Sequence, residues 1–183
     1  MGKKVVEATE LILSVLGSSS DPIDGRTVIQ KISYFSSLKI GLDMGYRPHF
    51  YGPYSPVLAS LLENLVALGF VEEKARLTFH GRTMYSYSLT DDGFKLFEES
   101  RKREPTKFAT VRKVVDRAQR IAGNSINILS WAAKANFLLS QKGQEISYEE
   151  AKVAGKRFGW KLSDDEIGSG VKLLVGLGLA RKS

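Results

Sequence analysis

The chain has 183 residues, a net charge of +7 and 43% hydrophobic residues, enough to fill the core of one larger domain or two small lobes. It has no cysteine and two histidines, which excludes disulfides, thiolate metal sites and cysteine nucleophiles and disfavours a zinc site or a Ser-His relay. No apolar run reaches the roughly 20 residues that a membrane helix needs, and no secretory signal is recognisable. We expect a cytoplasmic protein with no cofactor.

Two amphipathic helices are predicted at the start of the chain. The first ends at Gly17 and the serines that follow it. The second is expected to begin at Asp24, whose carboxylate can accept the free N–H groups of the first turn, and to end near Gly41. Its apolar residues fall on one face, which predicts that this face is buried.

A third helix follows an irregular connection from residue 42 to residue 54. Ser55 is the predicted cap, Pro56 occupies the first turn, and Gly69 lies past the end. Within the connection, residues 48–51 are expected to form a strand against a later hairpin. This connection is far longer than the 3–4-residue turn of a standard helix-turn-helix.

A β-hairpin and a fourth helix complete the first part of the chain. Residues 70–77 and 83–89 favour strands, and His80-Gly81-Arg82 supplies a turn between them. Thr90 is expected to cap the fourth helix, with Asp91 and Asp92 at its positive end. Three helices, a hairpin and a helix are the pattern of a winged helix, with the third helix as reader and the hairpin as wing.

Charged residues ending in Pro105 predict a boundary between a winged-helix lobe, 1–104, and a basic helical lobe, 105–183. The second lobe is expected to begin with an amphipathic basic helix, followed by a buried helix over residues 126–139. Capping boxes at Ser147 and Ser163 predict two more helix starts. The overall prediction is a mainly α-helical protein with a small β-hairpin: a winged helix plus a helical, winged-helix-like lobe without a wing.

The excess positive charge lies entirely in the second lobe. Residues 1–104 carry 13 Lys and Arg against 13 Asp and Glu, whereas residues 105–183 carry 14 against 7. Such asymmetry suits an acidic partner such as nucleic acid, and equally a solvated basic face. A six-residue echo between 65–70 and 174–179 leaves open whether the second lobe duplicates the first.

Two segments resemble a family of small bacterial and archaeal winged-helix proteins described as predicted transcriptional regulators. They are GRTVIQKISYF, from Gly25 to Phe35, and YGPYSP, from Tyr51 to Pro56. The Gln-Lys-x-x-Tyr and Tyr-Gly-Pro pair is more distantly similar to the Panacea antitoxin domain. The resemblance extends through YSLTDDG, which enters the fourth helix, and faintly through FGW, residues 158–160. It implies a winged-helix fold and no particular ligand, reaction or operator.

Duplex DNA is the first candidate partner, as expected for a transcriptional regulator. The predicted reader helix offers no cation on its exposed side, so binding would depend on phosphate contacts from the wing and from the basic helix. A regulator that reads paired half-sites is also expected to form a homodimer, although no residue identifies the dimer face. The candidate DNA-binding residues are Ser60, Asn64, Lys74, Arg76, Arg82, Arg112, Lys113, Arg117 and Arg120.

A protein partner is the alternative. The connection between the second and third helices is rich in aromatic residues with an arginine beside them, which are the residue types of interface anchors. The same rings can instead form a rigid turn that packs on the second helix, with Gln30 and Tyr34 as polar neighbours. The candidate partner-binding residues are Tyr46, Arg47, His49, Tyr51 and Tyr54.

Catalysis is not expected. The paired carboxylates at residues 91–92 and 164–165 lie where helix dipoles favour acidic residues, and His49 and His80 have no evident partner base or metal set. The glycines at 168, 170, 176 and 178 lie in or at the end of a predicted helix rather than after a strand, so close helix packing explains them better than phosphate binding. We therefore predict no catalytic residues and no metal ligands.

Overall fold

A computed structural model describes residues 2–78, 81–143 and 145–181, without the side chains of residues 2–4. His80 of the predicted hairpin turn lies outside these residues. The described chain is mainly α-helical with a small antiparallel sheet, as predicted. Its elements are α1 (Gly2–Ser18), β1 (Ile23–Asp24), α2 (Arg26–Ile40), α3 (Pro56–Ala67), β2 (Val71–Leu77), β3 (Thr83–Leu89), α4 (Asp91–Arg103), α5 (Pro105–Ala122), α6 (Ile126–Lys142), α7 (Tyr148–Lys156) and α8 (Asp164–Leu177).

The sheet has three strands in the order β1-β3-β2. β2 and β3 form the predicted hairpin, in a register that pairs Val71 with Leu89 and Leu77 with Thr83. The third strand is β1, which pairs Ile23 with Tyr87. The prediction of a strand at residues 48–51 is wrong, because the connection there forms only an isolated bridge between Arg47 and Tyr54.

The start of α2 also differs from the prediction. Its N-cap is Gly25, whose φ of 90° suits a glycine, and no side chain caps the helix. Gly25 instead donates its backbone N–H to the carbonyl of Tyr85 in β3, at 2.8 Å. Asp24 was expected to cap α2, but it belongs to β1 and its carboxylate accepts a hydrogen bond from Arg76, at 2.7 Å.

The other predicted helix starts are confirmed. Ser55 and Thr90 accept backbone N–H groups at the starts of α3 and α4. Both predicted capping boxes are present: Ser147 and Ser163 each accept from the third helical N–H, while Glu150 and Glu166 accept from the cap residue. These contacts link residues a few positions apart, so the local sequence is enough to specify them.

One cluster of buried apolar side chains includes residues from every described helix except α7. The helix α5 packs on α1 and α2, and α6 packs on α2, while α3 and β3 also pack on α1. A smaller cluster beneath α7 contains Trp160, Leu162 and Ile167. Residues on both sides of the predicted 104/105 boundary thus share the larger core, and the division into two lobes stays a prediction.

The glycines of α8 mark a close helix contact. A Cβ atom on Gly170 would lie 2.8 Å from the backbone of Trp131 and Ala132 in α6, so only glycine permits this approach. The contact holds α8 against α6, which lies against α2 in turn. No described helix combines the length and the apolar character needed to cross a bilayer.

Candidate nucleic-acid interface

The hairpin carries three of the candidate cations, and two of them form ion pairs. Lys74 lies 2.8 Å from the carboxylate of Glu72, and Arg76 lies 2.7 Å from that of Asp24. Arg82, beside the tip, is exposed and its side chain forms no ion pair with any described residue. Because exposed pairs are weak, a phosphate could compete for Lys74 and Arg76, but each pair reduces the positive field of the hairpin.

Arg26, which the sequence did not single out, is the centre of a network beside α3. Its guanidinium donates to the Tyr87 hydroxyl at 2.8 Å, to Glu63 at 2.9 Å and to Glu73 at 3.1 Å. The bonds to Tyr87 and Glu73 raise the pKa of Arg26, and the bond from Tyr87 lowers the pKa of Glu73. Burial first, and then the Glu73 contact, raises the pKa of Tyr87 to about 12. The shifts of Arg26 and Glu73 both favour the charged forms, so these two residues form an ion pair at neutral pH.

The exposed side of α3 is neutral to acidic. Ser60, Glu63, Asn64 and Ala67 all lie at the surface, as predicted, and Glu63 is paired with Arg26 of α2. The side-chain amide of Asn64 could form hydrogen bonds with adenine, but α3 contains no Lys or Arg that could contact a neighbouring phosphate. This helix is therefore a weak source of DNA affinity.

The basic face of α5 has a different character. Val111, Val115 and Ala118 are buried on the opposite side of the helix, which leaves Arg112, Lys113, Arg117 and Arg120 exposed. Arg112 is 4.0 Å from the carboxylate of Asp116, one turn further along the same helix. Within the described residues, Lys113 and Arg120 form no ion pair. The positive charges on this face are less neutralised than those of the hairpin.

The C-terminal end of α8 adds to this basic surface. Arg117 donates to the carbonyl of Gly176 at 3.2 Å, and Lys39 donates to that of Gly178 at 2.9 Å. Cations at this end of a helix interact favourably with its dipole. Gly176 of α8 lies against Ile121 of α5. Lys172 is exposed one helical turn before Gly176, which places its side chain near α5 as well. Sequence reasoning missed Lys39 and Lys172, because neither falls within a cationic run.

The aromatic connection divides into an inward part and an outward part. Tyr46 packs its ring edge-on against Tyr34, with 4.9 Å between the centroids, and burial raises its pKa. The rings of His49 and Tyr54 are in tilted contact, with 5.1 Å between their centroids. Arg47 is exposed. Outermost are Phe50, 72% exposed, and Tyr51, 45% exposed, in edge-to-face contact.

Two buried side chains of α2 form hydrogen bonds with the turn that precedes α3. Gln30 donates to the Ser55 carbonyl at 2.9 Å and accepts from the Ser55 N–H at 3.0 Å. Lys31 donates from Nζ to the Pro53 carbonyl at 2.6 Å. Gln30 is thus a neighbour of the turn, as predicted, whereas the Tyr34 hydroxyl donates to Asn136 of α6 at 2.8 Å. Sequence reasoning did not single out Lys31, although Lys31 is the lysine of the Gln-Lys-x-x-Tyr motif.

No group of three or more His, Asp or Glu residues in the described ranges has metal-binding geometry. The expectation that the protein is not an enzyme stays a prediction.

No known protein-family model matches the chain. One relative is the uncharacterized protein YwgA of Bacillus subtilis (strain 168), which is 39% identical over 77 residues. The match spans 42% of this chain and 46% of the relative, so the chain covers less than half of the protein it resembles. The winged-helix and Panacea resemblances therefore stay predictions.

Proposed function

We propose that this chain is a winged-helix protein that binds duplex DNA mainly through its phosphate backbone, as a transcriptional regulator does. The element order α1-β1-α2-α3-β2-β3 and the sheet order β1-β3-β2 support the winged-helix part of this proposal. The observation that carries the binding part is the exposed face of α5, where Lys113 and Arg120 stand without ionic partners among the described residues. Phosphate contacts of this kind give affinity with little sequence preference.

The test is fluorescence anisotropy of a labelled mixed-sequence duplex at several salt concentrations. Replacing Arg112, Lys113, Arg117 and Arg120 with alanine should weaken binding to all duplexes alike, by tenfold or more. If all four contact phosphates, the slope of log K against log salt should become shallower by about 3 to 4. The matched control removes four exposed cations elsewhere, at Lys95, Lys156, Arg157 and Lys161. Equal binding by the α5 variant and wild type would contradict the proposal.

Arg82 allows a second assignment within the same proposal. An exposed arginine beside a wing tip is well placed to enter a minor groove, where it contributes to both affinity and groove-width preference. An Arg82→Ala variant should then bind A-tract duplexes less selectively. Unchanged affinity and selectivity would remove Arg82 from the interface.

A protein partner is the second candidate, and the exposure of Phe50 and Tyr51 favours it. Replacing both with serine should then abolish a specific complex isolated from cells that express the protein. Leu77→Ser is a matched control, because Leu77 is 77% exposed on the hairpin. Absence of DNA binding at low salt, together with a complex lost only in the Phe50/Tyr51 variant, would favour this candidate over DNA.

A further inference from the structure

A cavity of about 110 Å³ lies between α2, α3 and the turn that precedes α3. Leu58 and Leu62 of α3 supply apolar walls, and Lys31, Tyr51 and Tyr54 supply polar groups. The space exceeds what one water molecule requires and suits a small organic molecule. Among the residues that the structure describes, no Asp or Glu lines the cavity.

Lys31 is the unusual group in this cavity. The residue is 2% exposed, and its only hydrogen bond within the described chain is the one to the Pro53 carbonyl. An ammonium group has three N–H donors, so two remain for another partner. A buried charge without a counter-ion is costly, and the nearby charged group that acts on Lys31 is a second cation, Lys134 of α6.

The other charged and titratable groups around the cavity do not neutralise Lys31. Arg26 lines one side, but its guanidinium is already bonded to Tyr87, Glu63 and Glu73. His49, Tyr51 and Tyr54 line the cavity from the turn, and none of these side chains has a carboxylate. Lys134 in turn interacts with Glu166. The cavity is therefore a positive, partly apolar space with an unsatisfied ammonium group.

We propose that this cavity binds a small organic anion, with its carboxylate on the Lys31 ammonium and its apolar part between α3 and the tyrosines. The proposal is independent of DNA binding. Such a ligand would contact Tyr54, next to Ser55, the cap of α3. The ligand would therefore lie against the same turn that Gln30 holds in place through its two hydrogen bonds to Ser55.

Protonation of Lys31 makes the proposal sensitive to pH. Burial, and then the neighbouring Lys134, lower the pKa of Lys31 to about 7. The protonated amine binds an anion and the neutral amine does not, so affinity should fall as pH rises through this value. A bound carboxylate should also raise the pKa of Lys31, because it stabilises the charged form.

The experiment titrates the full chain with a carboxylate series from acetate to benzoate, with benzamide as the neutral counterpart of benzoate. Calorimetry should show that at least one carboxylate binds, with an affinity about tenfold lower at pH 8 than at pH 6. Benzamide should bind more weakly than benzoate. Lys31→Met should abolish binding. Lys39→Met is the matched control, since Lys39 also bonds a backbone carbonyl but lies outside the cavity.

A second measurement covers the case in which Lys31→Met does not fold. The NMR titration of the Lys31 side chain in the wild-type protein should shift to higher pH when the tightest carboxylate is added. The proposal is overturned if no carboxylate moves this titration, if benzamide binds as well as benzoate, or if a folded Lys31→Met variant keeps its affinity.

Discussion

The hydroxyl of Tyr34 in α2 donates a hydrogen bond to the side-chain oxygen of Asn136 in α6, at 2.8 Å, and both residues are buried. The bond joins residues 102 positions apart, on opposite sides of the predicted lobe boundary. It lies within the interface where α2 packs on α6. The two parts of the chain are thus linked by a specific polar contact as well as by apolar packing.

Removing this bond should destabilise the protein without changing its shape. Tyr34→Phe keeps the ring and leaves the Asn136 side chain without its buried partner, so we expect a loss of about 1–2 kcal/mol in the free energy of unfolding. Urea denaturation followed by circular dichroism measures this loss. Thr110→Val is a control, because the Thr110 hydroxyl bonds an exposed carbonyl within its own helix. A Tyr34→Phe variant as stable as wild type would show that the bond contributes nothing net.

Residues 1–104 should not fold to their native structure alone. Val115 and Ala118 of α5 are fully buried in the core that α1 and α2 share, and truncation would expose the apolar surface that they cover. We expect poor amide dispersion in NMR spectra and dye binding to exposed apolar surface. A fragment with native-like spectra would instead show that the first lobe is an independent domain.

Two glycines of α8 should respond in opposite ways to the same substitution. Gly170→Ala places a methyl group 2.8 Å from the backbone of α6, so we expect a loss of several kcal/mol or a failure to fold. Gly168→Ala meets only the Tyr148 hydroxyl at 3.5 Å, and alanine favours a helix by about 1 kcal/mol. Thermal unfolding of the two variants should therefore shift to lower and to higher temperature, respectively. Equal shifts would contradict the close α6–α8 contact.

Stability should rise with pH above 7. The pKa of Lys31 is about 7 in the folded protein and 10.5 ordinarily, so the unfolded chain binds more protons between these values and the free energy of unfolding increases with pH. Above pH 10 the trend should reverse, because burial raises the pKa of Tyr34 and Tyr46 and only the unfolded chain then ionises them. Lys31→Met should remove most of the rise and keep the later fall, because burial also lowers the pKa of Lys134, which contributes a rise of the same sign. Urea unfolding at a series of pH values tests both, and a folded Lys31→Met variant that retains the full rise would assign it to another group.

Much of the candidate DNA surface was predictable from periodicity. The burial of Val111, Val115 and Ala118 leaves the cations of α5 outside, and a period of 3.6 residues suffices to show this. The pairing of Arg76 with Asp24 was not predictable in the same way, because Asp24 also has the chemistry of a helix cap. Asp24 pairs with β3 as part of β1, and there its carboxylate binds Arg76 rather than capping α2.

The ends of most helices follow from the amino-acid sequence. Ser55, Thr90, Ser147 and Ser163 cap their helices through contacts within three residues, so neighbouring positions in the chain contain all the necessary information. The cavity beside Lys31 and the Arg26 network depend on tertiary structure. Their bonds join residues 22 and 61 positions apart, and only packing of α2 against its surroundings brings those groups together. Local sequence specifies short-range hydrogen bonds, whereas the burial and partners of a distant charge are decided by the folded chain.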